Sequence, residues 1–278
     1  MAHDNFRHLD RLVEAIEGPN TAIYIHIDQR ADIPTEARFL ERATLIPRRK
    51  TEWGAHAQLR ASIDLLEAAE AADFYLLLSG SDYPLCSRTD LEKILATAPL
   101  FMNSKAVPFP SKPLQRFTKY HFKNLARRHP NLKNQVLISM ERILKRLPFD
   151  RKPPLKLYAG STWFALSQAV RKEFLEIHGA HPEYEEFFKN CLCPDEAFFQ
   201  CLLGASSFLN QANPNLTYLK WEESAASPKY LELEDLEFLK RHQEFEDLYG
   251  LHQIAFGRKF NDESSLVCKW IDKNLRGL

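Results

Sequence analysis

Asp195 and Glu196 head the chemical candidates in this chain. They follow Pro194 directly and open an apolar run that continues through Phe198, Phe199, Leu202 and Leu203. Proline pre-sets the first turn of a helix, and acids in that turn are stabilised by its exposed amides. Packed along its apolar side, such a helix aims the acid pair into a cleft, where a carboxylate can act as a general base. Spacing alone explains the pair equally well as ordinary helix-start residues. Asp28, closing 22–27 (AIYIHI), and Asp82, after 73–79 (DFYLLLS), each stand just past a β-rich segment. Ligands of open α/β sheets bind there. The plainer alternative makes both acids caps of the turns that follow.

Other chemistries fit poorly. Cys191 and Cys193, with His178 and His181, offer zinc ligands, but structural zinc takes pairs spaced by two to four residues, so buried thiols are the default. The five cysteines are an odd number and suit free thiols in a reducing compartment. No G-x-S-x-G elbow marks a serine hydrolase. None of the nine glycines lies within two residues of another, which excludes a Walker A loop and a G-x-G-x-x-G fingerprint. Any phosphate must therefore be held by side chains or by a helix terminus.

The elements that position these residues follow from periodicity. Apolar residues at helical spacing predict helices over 5–17, 56–71, 90–98 with an Asp90 cap, 134–147, and 167–178 with a Ser167 cap. Strands are expected over 22–27, weakly over 45–47, over 73–79, and over 156–166 as a strand or bent strand pair around Gly160-Ser161-Thr162. Strands alternating with long helices predict an α/β fold with a mostly parallel sheet and flanking helices. With 278 residues and no repeat or linker, 1–278 is taken as one domain. No apolar run approaches a membrane span.

Thirty-seven basic and thirty-seven acidic residues cancel overall, but not locally. Residues 105–156 carry 14 Lys and Arg against 2 acids, and 222–247 carry 9 acids against 3 bases. The 134–147 helix places Val136, Leu137, Met140, Leu144 and Leu147 on one side. Three readings compete for this basic insert: an RNA contact, attachment to anionic lipid, or a solvated insert beside a site for an anionic ligand. A basic amphipathic helix is ordinarily a packed helix with a wet face.

Five segments in order, "AHDNF…LDRLVEAI…IYIHIDQRAD", "WGAHAQLRASIDLLEAA…DFYLLLSGSDYPL", "LYAGSTWFAL", "CPDEAFFQCLL" and "FGRKFNDESS", resemble the branching glycosyltransferase family. That family holds the core-2/I-branching β-1,6-N-acetylglucosaminyltransferases and the peptide O-xylosyltransferases. The match runs from about residue 2 to 275 and is weakest over 105–156. The resemblance implies a GT-A-like (Rossmann-like) fold and an inverting, metal-independent transfer from a UDP-sugar, UDP-N-acetylglucosamine or UDP-xylose, to a hydroxyl of a glycan, lipid-linked or peptide acceptor. It implies Glu196 as catalytic base, Asp28 at the nucleoside end of the donor, Arg258 and Lys259 at the diphosphate, and Asp82 in the same cleft. Trp163 would stack on a sugar, and Arg116 and Tyr120, in the poorly matched stretch, would contact the acceptor. No cofactor, metal or nucleic acid is expected.

Family members begin with an apolar strand before the Ala-His pair, whereas here Met1 directly precedes Ala2-His3. The first strand of the sheet is therefore expected to be missing, and restoring upstream codons to raise stability. Without an anchor or secretory disulfides the expectation is a bacterial-type cytoplasmic enzyme, peripheral to the inner membrane through its basic helix. The alternative is a catalytically inactive glycan- or nucleotide-binding protein of the same fold.

Overall fold

The computed structural model describes residues 1–123, 125–127, 130–222, 225, 227–242 and 244–278. Arg128 of the basic stretch and Glu223 of the acidic one lie outside the described residues. The first helical period becomes α1 (Phe6–Ile16), whose Leu9, Leu12 and Val13 are buried in one cluster with Ile25, Ile27 and Phe39. β1 (Tyr24–Ile25) pairs in parallel with β2 (Thr44–Leu45), and α2 (Phe39–Arg42) lies between them in sequence. α3 (His56–Ala68) and β3 (Phe74–Leu77) follow at their expected places. Between the carboxyl ends of β1 and β3 lie Met1 and Ala2. The Ala2 amide donates to the His26 carbonyl at 2.9 Å, and the Gly80 amide donates to the Met1 carbonyl at 2.7 Å.

After β4 (Asp82–Pro84), α4 (Arg88–Leu95) starts earlier than expected. Its cap is Ser87, whose hydroxyl oxygen accepts from the Asp90 amide; Asp90 lies in the first turn instead of capping it. β5 (Leu100–Ala106), α5 (Gln115–Thr118) and α6 (Leu132–Leu144) lead into β6 (Tyr158–Ser167), one continuous strand. Ser167 caps α7 (Gln168–Ala180) as expected. α8 (Pro182–Phe188) precedes α9 (Phe198–Ala205), and β7 (Ala212–Asn213) and β8 (Thr217–Leu219) follow. α10 (Leu233–Arg241), the hairpin β9 (Glu244–Asp247) and β10 (Gly250–Gln253), β11 (Phe256–Arg258) and α11 (Ser265–Ile271) complete the chain.

The fold is mixed α/β, as expected, but strand direction departs from the expectation. The largest sheet has the order β3-β6-β5-β7, and β6 runs antiparallel to both β3 and β5. Among the described residues parallel pairing is found in β1–β2, β5–β7 and β8–β11 and in an isolated bridge between Ala2 and Ile27. The cause is the connection 107–157: a segment that long returns the chain in either direction, and apolar patterning within a strand does not encode direction. The second sheet, β4-β11-β8, lays β11 antiparallel to β4 with Arg258 opposite Asp82. Phe198, Phe199, Leu202 and Leu203 are fully buried, with Phe199 edge-on to Phe164 of β6 at 5.0 Å between centroids. Burying each of these side chains stabilises the fold by about 1.5–3 kcal/mol.

Candidate active site

Local geometry around the acid pair differs from the expected helix start. Pro194–Glu196 form a separate 3₁₀ turn, entered through Cys193 in the left-handed region (φ 48°), and α9 begins two residues later. A single short turn sums few peptide dipoles, so side chains must fix the two acids. They do so differently. Asp195 turns inward, where the Thr162 hydroxyl donates to its Oδ2 at 2.8 Å. Burial, reinforced by the neighbouring Glu196 charge, pushes its carboxyl up to about 6. Glu196 turns outward and is partly exposed. Lys112 Nζ and Arg116 Nη2 both donate to its Oε2, and among the described residues nothing bonds Oε1. Burial alone would lower the Arg116 guanidinium, but Glu196, together with Cys193 and Asp195, holds that group above its ordinary value.

A bulge in β6 links this turn to the rest of the site. Residues 161–163 stand opposite the single residue Asn103 of β5. Gly160 makes the close approach possible, since a Cβ there would lie 1.7 Å from the Asn103 carbonyl oxygen. Side chains then fix the extra residues: Gln200 Nε2 donates to the Ser161 carbonyl at 2.6 Å and Asn215 Nδ2 to the Ser161 hydroxyl at 2.7 Å. The bulge thus gives Thr162 to Asp195 and leaves Trp163 under Arg258, whose guanidinium carbon lies 4.7 Å from the ring centroid. Arg258 Nη1 donates to Asp82 Oδ1 at 2.9 Å. Asp82 has no solvent exposure, and burial pushes its carboxyl up against the pull of Arg258. Lys259 Nζ donates to the Ser227 hydroxyl at 3.2 Å and lies 4.3 Å from the Tyr230 ring centroid.

Asp28 occupies a third position. It accepts from the Arg30 amide at 2.9 Å and the Thr51 hydroxyl at 2.6 Å, and from the Arg30 guanidinium and the Thr51 amide. Burial would raise this carboxyl, but those bonds hold it well below the usual carboxylate range. Beside it opens a cleft of about 400 Å³, lined by Gln29, Arg48, Arg49, Lys50, His56 and Arg60. Neither Glu196 nor Arg258 is in that cleft's wall. The Asp28 loop and the Pro-Asp-Glu turn meet where the Cys193 amide donates to the Gly54 carbonyl at 2.9 Å. Gly54 is itself left-handed (φ 68°), and a Cβ there would approach Cys193 Sγ to 2.9 Å, so glycine is required twice over.

The structure therefore brings together Glu196 with Arg116, and Arg258 with Asp82 and Trp163. Asp28 connects to the acid turn through Gly54, and to the Asp82 loop through Met1 and Ala2, whose carbonyls accept from the Gly80 and Asp28 amides. Tyr120 is exposed and packs edge-on against Phe122. The cysteines are free thiols, buried except for half-buried Cys86, with Cys191 and Cys193 pushed by burial to about 11 and 12, while His178 pairs with Glu185 at 2.9 Å. Among the described residues no cluster of three or more His, Cys, Asp or Glu side chains could hold a metal ion. Sequence reasoning missed Lys112 and Thr162. Lys112 lies outside α5, in a bridge with Phe109 and followed by Pro113, so helical spacing gives no signal for it; nothing pointed to Thr162 either.

A mixed α/β chain with an acid held beside a sheet bulge, and with cations on a second sheet, has the build of a GT-A-like glycosyltransferase. Residues 1–241 match the Core-2/I-Branching enzyme family model, and the chain belongs to that family. Among its relatives, the xylosyltransferase oxt of Drosophila melanogaster is 25% identical over 239 residues, covering 78% of this chain and 25% of the relative. Xylosyltransferase 2 of Bos taurus is 27% identical over 245 residues, 80% of this chain and 26% of the relative. The beta-glucuronosyltransferase GlcAT14A of Arabidopsis thaliana is 24% identical, covering 96% of this chain and 61% of the relative. The chain thus spans about a quarter of the length of the xylosyltransferases it matches.

Proposed function

We propose that this chain is an inverting glycosyltransferase that moves a sugar from a UDP-sugar to a hydroxyl of a glycan, lipid-linked or peptide acceptor on the cytoplasmic side of the cell. The observation that carries the reading is the state of Glu196: two cations fix one carboxylate oxygen, and among the described residues nothing bonds the other. An acceptor hydroxyl bonded to Oε1 gives up its proton there as its oxygen attacks the anomeric carbon. The bond from that carbon to the diphosphate breaks on the opposite face, so an α-linked donor yields a β-linked product. Arg258 and Lys259 are the groups we assign to the charge that grows on the departing diphosphate, and Trp163 to the sugar face. Asp28 is assigned to the nucleoside, with Arg116 and Tyr120 on the acceptor side.

No divalent ion enters this scheme. Its support is the donor set: the Asp28 oxygens are engaged by Arg30 and Thr51, and Asp82 Oδ1 and Oδ2 by Arg258 and the Ser79 amide. Neither acid offers a free pair of oxygens to a metal. The xylosyl- and glucuronosyl-transferase relatives make UDP-xylose and UDP-glucuronate natural donors to test beside UDP-N-acetylglucosamine. Each is incubated with the chain and an acceptor panel, and proton NMR reads the anomeric configuration of the product. A β-linked product is expected. An α-linked product would overturn the inverting scheme, and UDP binding without transfer or donor hydrolysis would favour a binding protein of the same fold.

A further inference from the structure

The basic insert does not take the ordinary packed form. On α6, Leu132, Val136, Met140 and Ile143 fall within an arc of about 80°, and that arc faces solvent: Leu132 is 82% exposed, Val136 60% and Ile143 62%. Leu147 and Phe149, just past the helix, continue the apolar surface, with Phe149 75% exposed. The reason lies in the helix's one acid. Glu141, opposite the arc, is buried and receives Arg127 at 2.7 Å, Lys145 at 2.8 Å and the Phe122 amide at 3.0 Å, with His121 at 3.0 Å. Satisfying that carboxylate turns α6 polar side in and apolar side out. The expectation of an apolar face packed inward is thereby corrected.

The charged residues that border the exposed arc are cations, Lys133 on one side and Arg142 and Arg146 on the other, with Gln135 and Ser139 among the latter, all exposed. The next acid in sequence after Glu141 is Asp150, which is engaged by Thr118 and Lys119. We infer that α6 and the turn after it form an interfacial docking surface for an anionic phospholipid bilayer, with the Leu132–Ile143 arc at the acyl boundary and the flanking Lys and Arg at the headgroups. Charge complementarity selects this occupant. Two copies of the patch facing each other would set like charges together, whereas an anionic surface satisfies all of them. No helix among the described residues is long and apolar enough to cross a membrane, so α6 lies on the surface.

The location couples this surface to the candidate site. The Arg151 amide donates to the Thr118 carbonyl at 2.7 Å, and Lys119 Nζ donates to the Leu147 carbonyl at 3.0 Å. These bonds tie the far end of α6 to α5, which carries Arg116 to Glu196. A bilayer at α6 therefore lies one short helix from the open carboxylate.

The test is flotation of the full chain with phosphatidylcholine vesicles containing phosphatidylglycerol, against phosphatidylcholine alone, at low and high salt. Binding to the anionic vesicles that weakens with salt is expected. The double variant Val136→Asp/Ile143→Asp should lower the bound fraction about tenfold, and Arg142→Glu/Arg146→Glu by a similar factor. The substituted side chains are exposed, and unchanged circular dichroism and melting temperature will confirm folding. No binding to anionic vesicles, or binding that both variants retain, overturns the inference. So does a dimer in sedimentation velocity that Val136→Asp/Ile143→Asp dissolves, because the patch would then be a contact between copies.

Discussion

Two carboxylate–cation groups in this molecule use the same residue types and have opposite character. Asp82 is wholly buried, with its oxygens bonded by Arg258 and the Ser79 amide, while Glu196 is partly exposed and its Oε1 has no partner among the described residues. The difference originates in the chain around them. Asp82 stands in β4, opposite Arg258 across a strand pair, so backbone register sets the contact. Glu196 stands at the end of a 3₁₀ turn, and its cations come from the basic insert 84 and 80 residues earlier. A buried ion pair is costly to disturb and positions a cation; a half-open one can exchange a proton with an incoming hydroxyl. Burial, more than residue type, assigns the roles.

The sharpest way to break this contrast is Asp82→Asn, which leaves Arg258 without its anionic partner. Stability should fall by about 3 kcal/mol, read by denaturant unfolding; a loss within experimental error would show that the pair positions nothing. Arg116→Ala is the counterpart at the open site. It should slow transfer about 30-fold with little change in unfolding midpoint, because the carboxylate loses its orientation while the fold keeps its core.

Asp195 supplies a pH test. Its native carboxyl is raised from 3.8 to about 6, so between those values the folded chain holds a proton that the unfolded chain has lost. Its contribution therefore makes stability fall as pH rises from about 4 to about 6. Asp195→Asn removes that slope, a difference on the order of 1–2 kcal/mol between the two proteins across this range. Parallel stability curves for wild type and variant would contradict the assignment. The smallest effect is expected from EDTA, which should leave the transfer rate unchanged; loss of activity restored by Mn²⁺ would show that a metal does what Arg258 and Lys259 are assigned to do.

Much of this contrast was legible in the sequence. Ser167 and the apolar period after it place α7 to within two residues, and Asp28 does stand just beyond β1, whereas Asp82, five residues past β3, itself opens β4. The acid pair was also visible, but its division of labour was not, because Thr162 reaches Asp195 only through a bulge that Gly160, Asn103 and Asn215 build from three distant segments. Strand direction in β6 was hidden by a long connection. In α6 the periodicity showed that an apolar face exists; only the inward turn of Glu141 decides that this face meets solvent.

The central claim is that Glu196 takes the proton of the acceptor, and Glu196→Gln tests it most directly. The substitution preserves shape and removes the base, with transfer measured by product formation and donor binding by calorimetry with UDP. Transfer should fall by about 10²–10⁴-fold while UDP affinity stays within about threefold. Undiminished turnover, or a loss of UDP affinity as large as the loss of transfer, would contradict the account.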